Sequence, residues 1–245
     1  MSRDWHELDE DELRELEEVE DEVPRGWRPG PEAIRAIEGE PMESDEEREE
    51  LPSIADTSDL EEARLSAAAE RLKQIEWLKP EKWAQLDTYE KVVALNSAGR
   101  ELAEVYQHPN PPLLVKDMGD PDLLGAYGDG YRFNSDTGEI EGADYRITMN
   151  RSAEIDYKKL LGDDPTAALR TYAHEFRHSY QAEQAARYDK PQFRNLVDNA
   201  EAAKEWSENL RHYITPNEDY DAYRNQPVER DARDFAEELV KQVYG

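Results

Sequence analysis

The residues most able to do chemistry lie in one five-residue run, His174-Glu175-Phe176-Arg177-His178. Two histidines four apart on a helix stand one turn apart on one face, where both imidazoles can reach a single divalent ion. The glutamate between them then lies beside that ion, placed to act as a base. The competing reading is an amphipathic helix whose histidines face solvent. The chain has no cysteine, which excludes disulfides, thiolate ligands and a cysteine nucleophile, so a metal site must be built from histidine and carboxylate.

A catalytic zinc uses three protein ligands and a water, which leaves His174 and His178 one ligand short. The third candidate is Glu229, in Asn225-Gln226-Pro227-Val228-Glu229-Arg230-Asp231-Ala232. Pro227 opens a helix there, Val228, Ala232, Phe235 and Leu239 form its buried face, and Glu229 falls in the first turn beside that face. His212 is the rival ligand and the first choice as a donor to a developing oxyanion. Tyr213, Tyr220 and Tyr223 are further donors in the same segment.

The elements around these residues follow from pattern. Asp163 or Asp164 supplies an N-cap and Pro165 a first helical residue, so a helix begins about ten residues before His174. On it Leu169, Tyr172, Ala173, Phe176 and Tyr180 form the apolar stripe, with His174, His178 and Gln181 on the adjacent flank. Upstream, Ser58-Asp59-Leu60-Glu61 has the form of a capping box, and Leu65, Ala68, Ala69, Leu72, Ile75 and Leu78 recur at helical spacing. Pro80 opens a short turn or helix, and Thr88 caps a helix carrying Val92, Val93, Leu95, Leu102, Val105 and Tyr106, which Gly99 interrupts without ending. Leu113-Leu114-Val115 suits a buried strand. Gly125 to Asn150 alternates strand formers with Asp/Gly turns, as in a β-hairpin or meander. The strand at Ile147 is expected to be the sheet edge on which an extended peptide adds.

Charge divides the chain unevenly. Residues 1–62 hold 25 Asp/Glu against 6 Lys/Arg, a net of −19, which leaves −10 of the total −29 for the other 183 residues. Residues 1–56 alternate charged clusters with Pro and Gly and cannot bury enough apolar surface for a fold of their own. They are expected to form an acidic, mostly disordered arm with short helical islands, at Leu13 to Val23 and after Pro31. The arm suits a basic protein partner, the chain's own cleft as a pro-segment, or a secretion apparatus. Such a charge repels nucleic acid and anionic membrane, which excludes both as partners. No N-terminal apolar h-region and no membrane-length apolar run are present, so the protein is expected to be made in the cytoplasm, with export by a dedicated secretion system the alternative route.

These residues resemble the gluzincin metallopeptidases, in which HExxH is followed at a distance by a helical glutamate. The resemblance is to the compact bacterial zincin modules of polymorphic toxins and phage-encoded proteins. It covers residues 60–245 through the helical hairpin, the Gly-Tyr hairpin ending Ile147-Thr148-Met149-Asn150, the run Ala173 to Gln181, and Asn225 to Ala232. It implies His174 and His178 as zinc ligands, Glu175 as catalytic base and Glu229 as third ligand. Where several gluzincins carry an acidic residue four positions after the ligand glutamate, this chain has Arg233, so Asp231 or Asp234 would supply that outer contact. The implied architecture is α+β, a minimal zincin-like domain over residues 57–245 behind the acidic arm. The implied activity is zinc-dependent hydrolysis of a protein substrate, as in a toxin or effector protease, with His212 or Tyr223 assisting Glu175. The alternative is a non-catalytic zincin scaffold whose arm binds a basic partner.

Overall fold

The computed structural model describes residues 57–245 apart from 121, 129–131, 134–139, 142–145 and 156–157. The arm over residues 1–56, with its helical islands, lies outside the described residues. The fold is α+β, mostly helical around a small mixed sheet. Its helices are α1 (Thr57–Lys73), α2 (Pro80–Trp83), α3 (Thr88–Tyr106), α4 (Pro165–Asp189), α5 (Ala200–Arg211), α6 (Tyr220–Asn225) and α7 (Pro227–Tyr244), with 3-10 turns at Glu76–Leu78 and Pro191–Leu196. The strands are β1 (Leu113–Lys116), β2 (Gly125–Gly128), β3 (Arg132–Phe133), β4 (Ile140–Glu141), β5 (Arg146–Asn150), β6 (Glu154–Ile155) and β7 (Lys158–Lys159). Among the described residues no helix is long and apolar enough to cross a membrane.

The 25-residue α4 is the axis of the fold, and α7 and α5 pack along it. Its start follows the sequence: Asp164 accepts a hydrogen bond from the Thr166 N–H, which satisfies one of the first orphan donors, and Pro165 occupies the first turn. Leu169, Tyr172, Ala173, Phe176 and Tyr180 are all buried, with Val228, Ala232, Phe235 and Leu239 of α7. The expected apolar faces of both helices therefore form one core, completed by Leu72, Leu78, Leu95, Leu102 and Tyr106 from the N-terminal helices.

One cap and one face differ from expectation. Asp87, one residue before Thr88, caps α3: its carboxylate accepts from the Glu90 N–H while Glu90 reaches back to the Asp87 N–H. Ser58 lies inside the described span of α1, and the Glu61 carboxylate accepts from Tyr106 and from Arg177. Val93 is exposed, and Ala94 and Ala98 take the buried face of α3, which lets Tyr172 approach closely. Gly99 is required for that approach, because a Cβ there would lie 1.9 Å from the Tyr172 hydroxyl, which donates to Asn110 Oδ1.

The three-stranded sheet has the order β1-β5-β2. β5 pairs in parallel with β1, Leu113 opposite Ile147, and antiparallel with β2, Gly125 opposite Met149. The Ile147 strand is thus the centre of the sheet and not its edge. Its residues Ile147 to Asn150 are buried without alternation, as a strand covered on both faces requires. Within this sheet β2 is an edge, and it lies against α4. Helix α5 was not anticipated; Asn199 caps it by accepting from the Glu201 and Ala202 N–H groups.

Candidate metal centre

Two turns of α4 and the first turn of α7 bring three donor side chains together. His174 and His178, a turn apart, direct their Nε2 atoms at each other, 3.0 Å apart, with the rings perpendicular. From α7 the Glu229 carboxylate meets both: Oε2 lies 3.3 Å from His174 Nε2 and Oε1 lies 3.4 Å from His178 Nε2. Among the described residues, these three form the cluster of ligand atoms that could hold a metal ion. Zinc bonds of 2.0–2.1 Å in tetrahedral geometry place ligand atoms about 3.3 Å from one another. The three separations fit a single small cation, and two nitrogens and a carboxylate oxygen are the donor chemistry zinc accepts.

The position of Glu229 follows from the local start of α7. Gln226 precedes Pro227, and its side chain bridges Asn209, the Ile214 N–H and the Ile214 carbonyl, while Asn209 Oδ1 accepts the Val228 N–H. These bonds fix the helix entry, so the first-turn glutamate projects toward α4 with 5% of its side chain exposed. Burial opposes charge on Glu229, but the two histidines and the Tyr213 hydroxyl outweigh it and hold the carboxyl far below the usual range. Burial likewise opposes charge on His178, and the Glu229 carboxylate overrides it, raising the imidazole to about 9. Each partner favours the ionised form of the other, so the metal-free pair holds a proton that a bound metal ion would displace.

Glu175 is buried beside the cluster. Burial pushes its carboxyl up, the nearby histidines draw it down, and the like charge of Glu229 pushes it up further; the net shift is upward. The Tyr127 backbone N–H of β2 bonds to its carboxylate. Gly125 of the same strand faces it so closely that a Cβ there would lie 3.2 Å from Glu175 Oε1. A carboxyl raised by burial, next to a cluster that could hold a metal ion and under a strand edge, is suited to proton transfer.

Outside the donors, His178 Nδ1 lies 2.9 Å from Gln181 Oε1. Gln181 in turn reaches Asp231, which binds the buried Arg177. Of the two acidic candidates for an outer contact, Asp231 is therefore joined to His178 through Gln181, while Asp234 is exposed and pairs with Arg233. His212 is exposed at the C-cap of α5 and is not part of the donor cluster. Its neighbour Tyr213 donates to Glu229 Oε1 at 2.6 Å. Tyr223, half-buried on α6, shares that contact with Glu229 and lies edge-on to Tyr213. Tyr220 is exposed.

Sequence reasoning passed over Tyr213 as a direct partner of Glu229, although it was among the donors in the segment. It also passed over Arg177, whose only sequence signal is a charged residue inside an otherwise apolar stripe. No family model matches the chain, and neither a curated protein nor a solved structure matches it.

Proposed function

We propose that the chain is a zinc-dependent endopeptidase of the gluzincin type, with His174, His178 and Glu229 holding the metal. The observation that carries this reading is the convergence of the three donors at separations of 3.0–3.4 Å with a buried carboxylate alongside. Zinc bound there supplies Lewis acidity, lowering the pKa of a water and polarising the scissile carbonyl.

Glu175 takes the proton from the attacking water and returns it to the leaving amine. Its burial keeps its pKa above that of an exposed glutamate, so it can both accept and give the proton. Tyr213 already donates its hydroxyl proton to Glu229, so the half-buried Tyr223, in place of the exposed His212, is the donor for the developing oxyanion. The peptide adds along β2, whose Tyr127 N–H already touches the Glu175 carboxylate, rather than along the central β5.

The test is Glu175→Gln assayed on an unfolded protein or a mixture of quenched fluorescent peptides. The variant is expected to keep its zinc and to lose at least about 10²-fold in kcat, the lower end of general acid–base contributions. Undiminished hydrolysis would sink the assigned mechanism. A wild-type chain that binds zinc but cleaves nothing would favour the scaffold reading.

A further inference from the structure

Gln181 is a neutral side chain, 1% exposed, one turn beyond His178 on α4. All its polar contacts can be assigned by elimination. Its Nε2 lies 3.0 Å from the Val228 carbonyl and 2.6 Å from Asp231 Oδ2. Both of those atoms act as acceptors: Val228 offers a carbonyl oxygen, and the Asp231 oxygens accept from Arg177, 2.8 Å from Nε and 3.2 Å from Nη2. The end of Gln181 facing them must be the NH₂ group. The opposite end, 2.9 Å from His178 Nδ1, must then be the carbonyl oxygen, which can only accept. His178 therefore carries a proton on Nδ1, and Nε2 is the nitrogen that faces His174 and Glu229 and would ligate a metal ion.

Arg177 anchors the far end of this chain. Its guanidinium is enclosed by the rings of Tyr106, Tyr180, Trp206 and Phe235 at 5.0–5.8 Å and donates to Glu61 of α1 as well as to Asp231. Its two bonds to Asp231 hold that side chain in place. Order thus passes from the core to the metal-ligand set through two hydrogen-bonded side chains.

We propose that Gln181, oriented by Asp231 and Arg177, is a positioning residue that fixes His178 as the Nδ1–H form and so sets the zinc affinity of the centre. It touches neither substrate nor metal and acts only through His178. The inference rests on the metal-centre reading above. Outer partners of ligand histidines typically contribute 10–100-fold to metal affinity, because they fix ring orientation and raise ligand basicity.

The experiment uses the full chain, wild type and Gln181→Leu, with zinc affinity measured by competition against a chromophoric chelator. In parallel, the exchange of the His178 Nδ1 proton is followed by ¹⁵N-edited NMR in metal-free and zinc-loaded protein. Wild type should show an Nδ1–H protected from exchange in both states. The leucine variant should lose that protection and bind zinc roughly 10–100-fold more weakly. Gln181→Met, the closest apolar match in length, serves as the second variant: it removes the acceptor facing Nδ1 and should lose the protected proton even if the leucine variant folds poorly. Tight wild-type binding with unchanged affinity in Gln181→Leu would overturn the role of Gln181 alone. A wild-type chain that takes up no zinc would overturn the metal-centre reading and the affinity claim with it. An unprotected His178 Nδ1–H in wild type would overturn the orientation argument.

Discussion

Replacing Gly125 by alanine separates the placement of the base from the binding of the metal. A Cβ at this position would lie 3.1 Å from Thr171 Cγ2, 3.2 Å from Glu175 Cγ and 3.2 Å from Glu175 Oε1. All three atoms belong to α4, whose buried face cannot shift as a whole, so Glu175 must give by a few tenths of an ångström. Stability should change little. Overpacking of this kind costs roughly 1 kcal/mol at its mild end, and the alanine gains about 0.4–1 kcal/mol by restricting the unfolded chain. Catalysis is less forgiving, since a misplacement of about 1 Å can cost about 10²-fold, and a few tenths scale to roughly tenfold in kcat. The assay pairs peptide hydrolysis with urea unfolding and zinc titration. Wild-type zinc affinity, a melt within about 1 kcal/mol and a roughly tenfold lower kcat are expected. Full hydrolysis in Gly125→Ala, and again in the bulkier Gly125→Val, would refute the claim that Glu175 acts from under this strand.

Arg177→Met should destabilise the fold by about 2–4 kcal/mol, read as a lower urea midpoint at unchanged slope, because it strands the Asp231 and Glu61 carboxylates. Those carboxylates are 30% and 36% exposed, which keeps the loss toward the lower part of that range. A melt within about 0.5 kcal/mol of wild type, as surface changes give, would show the guanidinium cage to be energetically idle. Acid stability should depend on Glu183, which pairs with His108 and Arg187. Burial resists its ionisation, but the contacts with His108 and Arg187 prevail and lower its pKa below the usual glutamate value. The unfolded chain then binds more protons than the folded one, so the contribution is present in full above about pH 4.3 and is lost as pH falls below it. Glu183→Gln should flatten that acid limb of the melting curve, and an unchanged pH dependence would contradict the assignment.

Much of the site was legible because helices announce themselves locally. Asp164-Pro165 and Gln226-Pro227 are start signals written in adjacent residues, and the apolar period of each helix fixes which flank carries His174, His178 and Glu229. That two distant helices meet at those flanks follows once both apolar faces are buried in one core. The place of β5 was not legible: a short apolar strand states that it is buried but not which strands flank it, and the order β1-β5-β2 is set by tertiary pairing. The same limit applies to side chains. Asp87 and Thr88 are both acceptable caps, and the reciprocal bond with Glu90 decides between them. His212 and Tyr213 are adjacent, and the end of α5 determines that the tyrosine turns to Glu229 while the histidine faces solvent. Helix α5 did carry signals, Asn199 followed by Ala203, Trp206 and Leu210, that a closer reading of residues 199–211 could have used.

The central claim is that His174, His178 and Glu229 form one zinc site. The most direct measurement is the zinc content of the purified chain by elemental analysis, for wild type and for Glu229→Ala, after dialysis against a weak chelator. One zinc per chain in wild type is expected, with loss from the variant exceeding the roughly 10–100-fold weakening typical of an outer partner. Zinc absent from wild type, or equally retained when Glu229 cannot ligate, would contradict the claim.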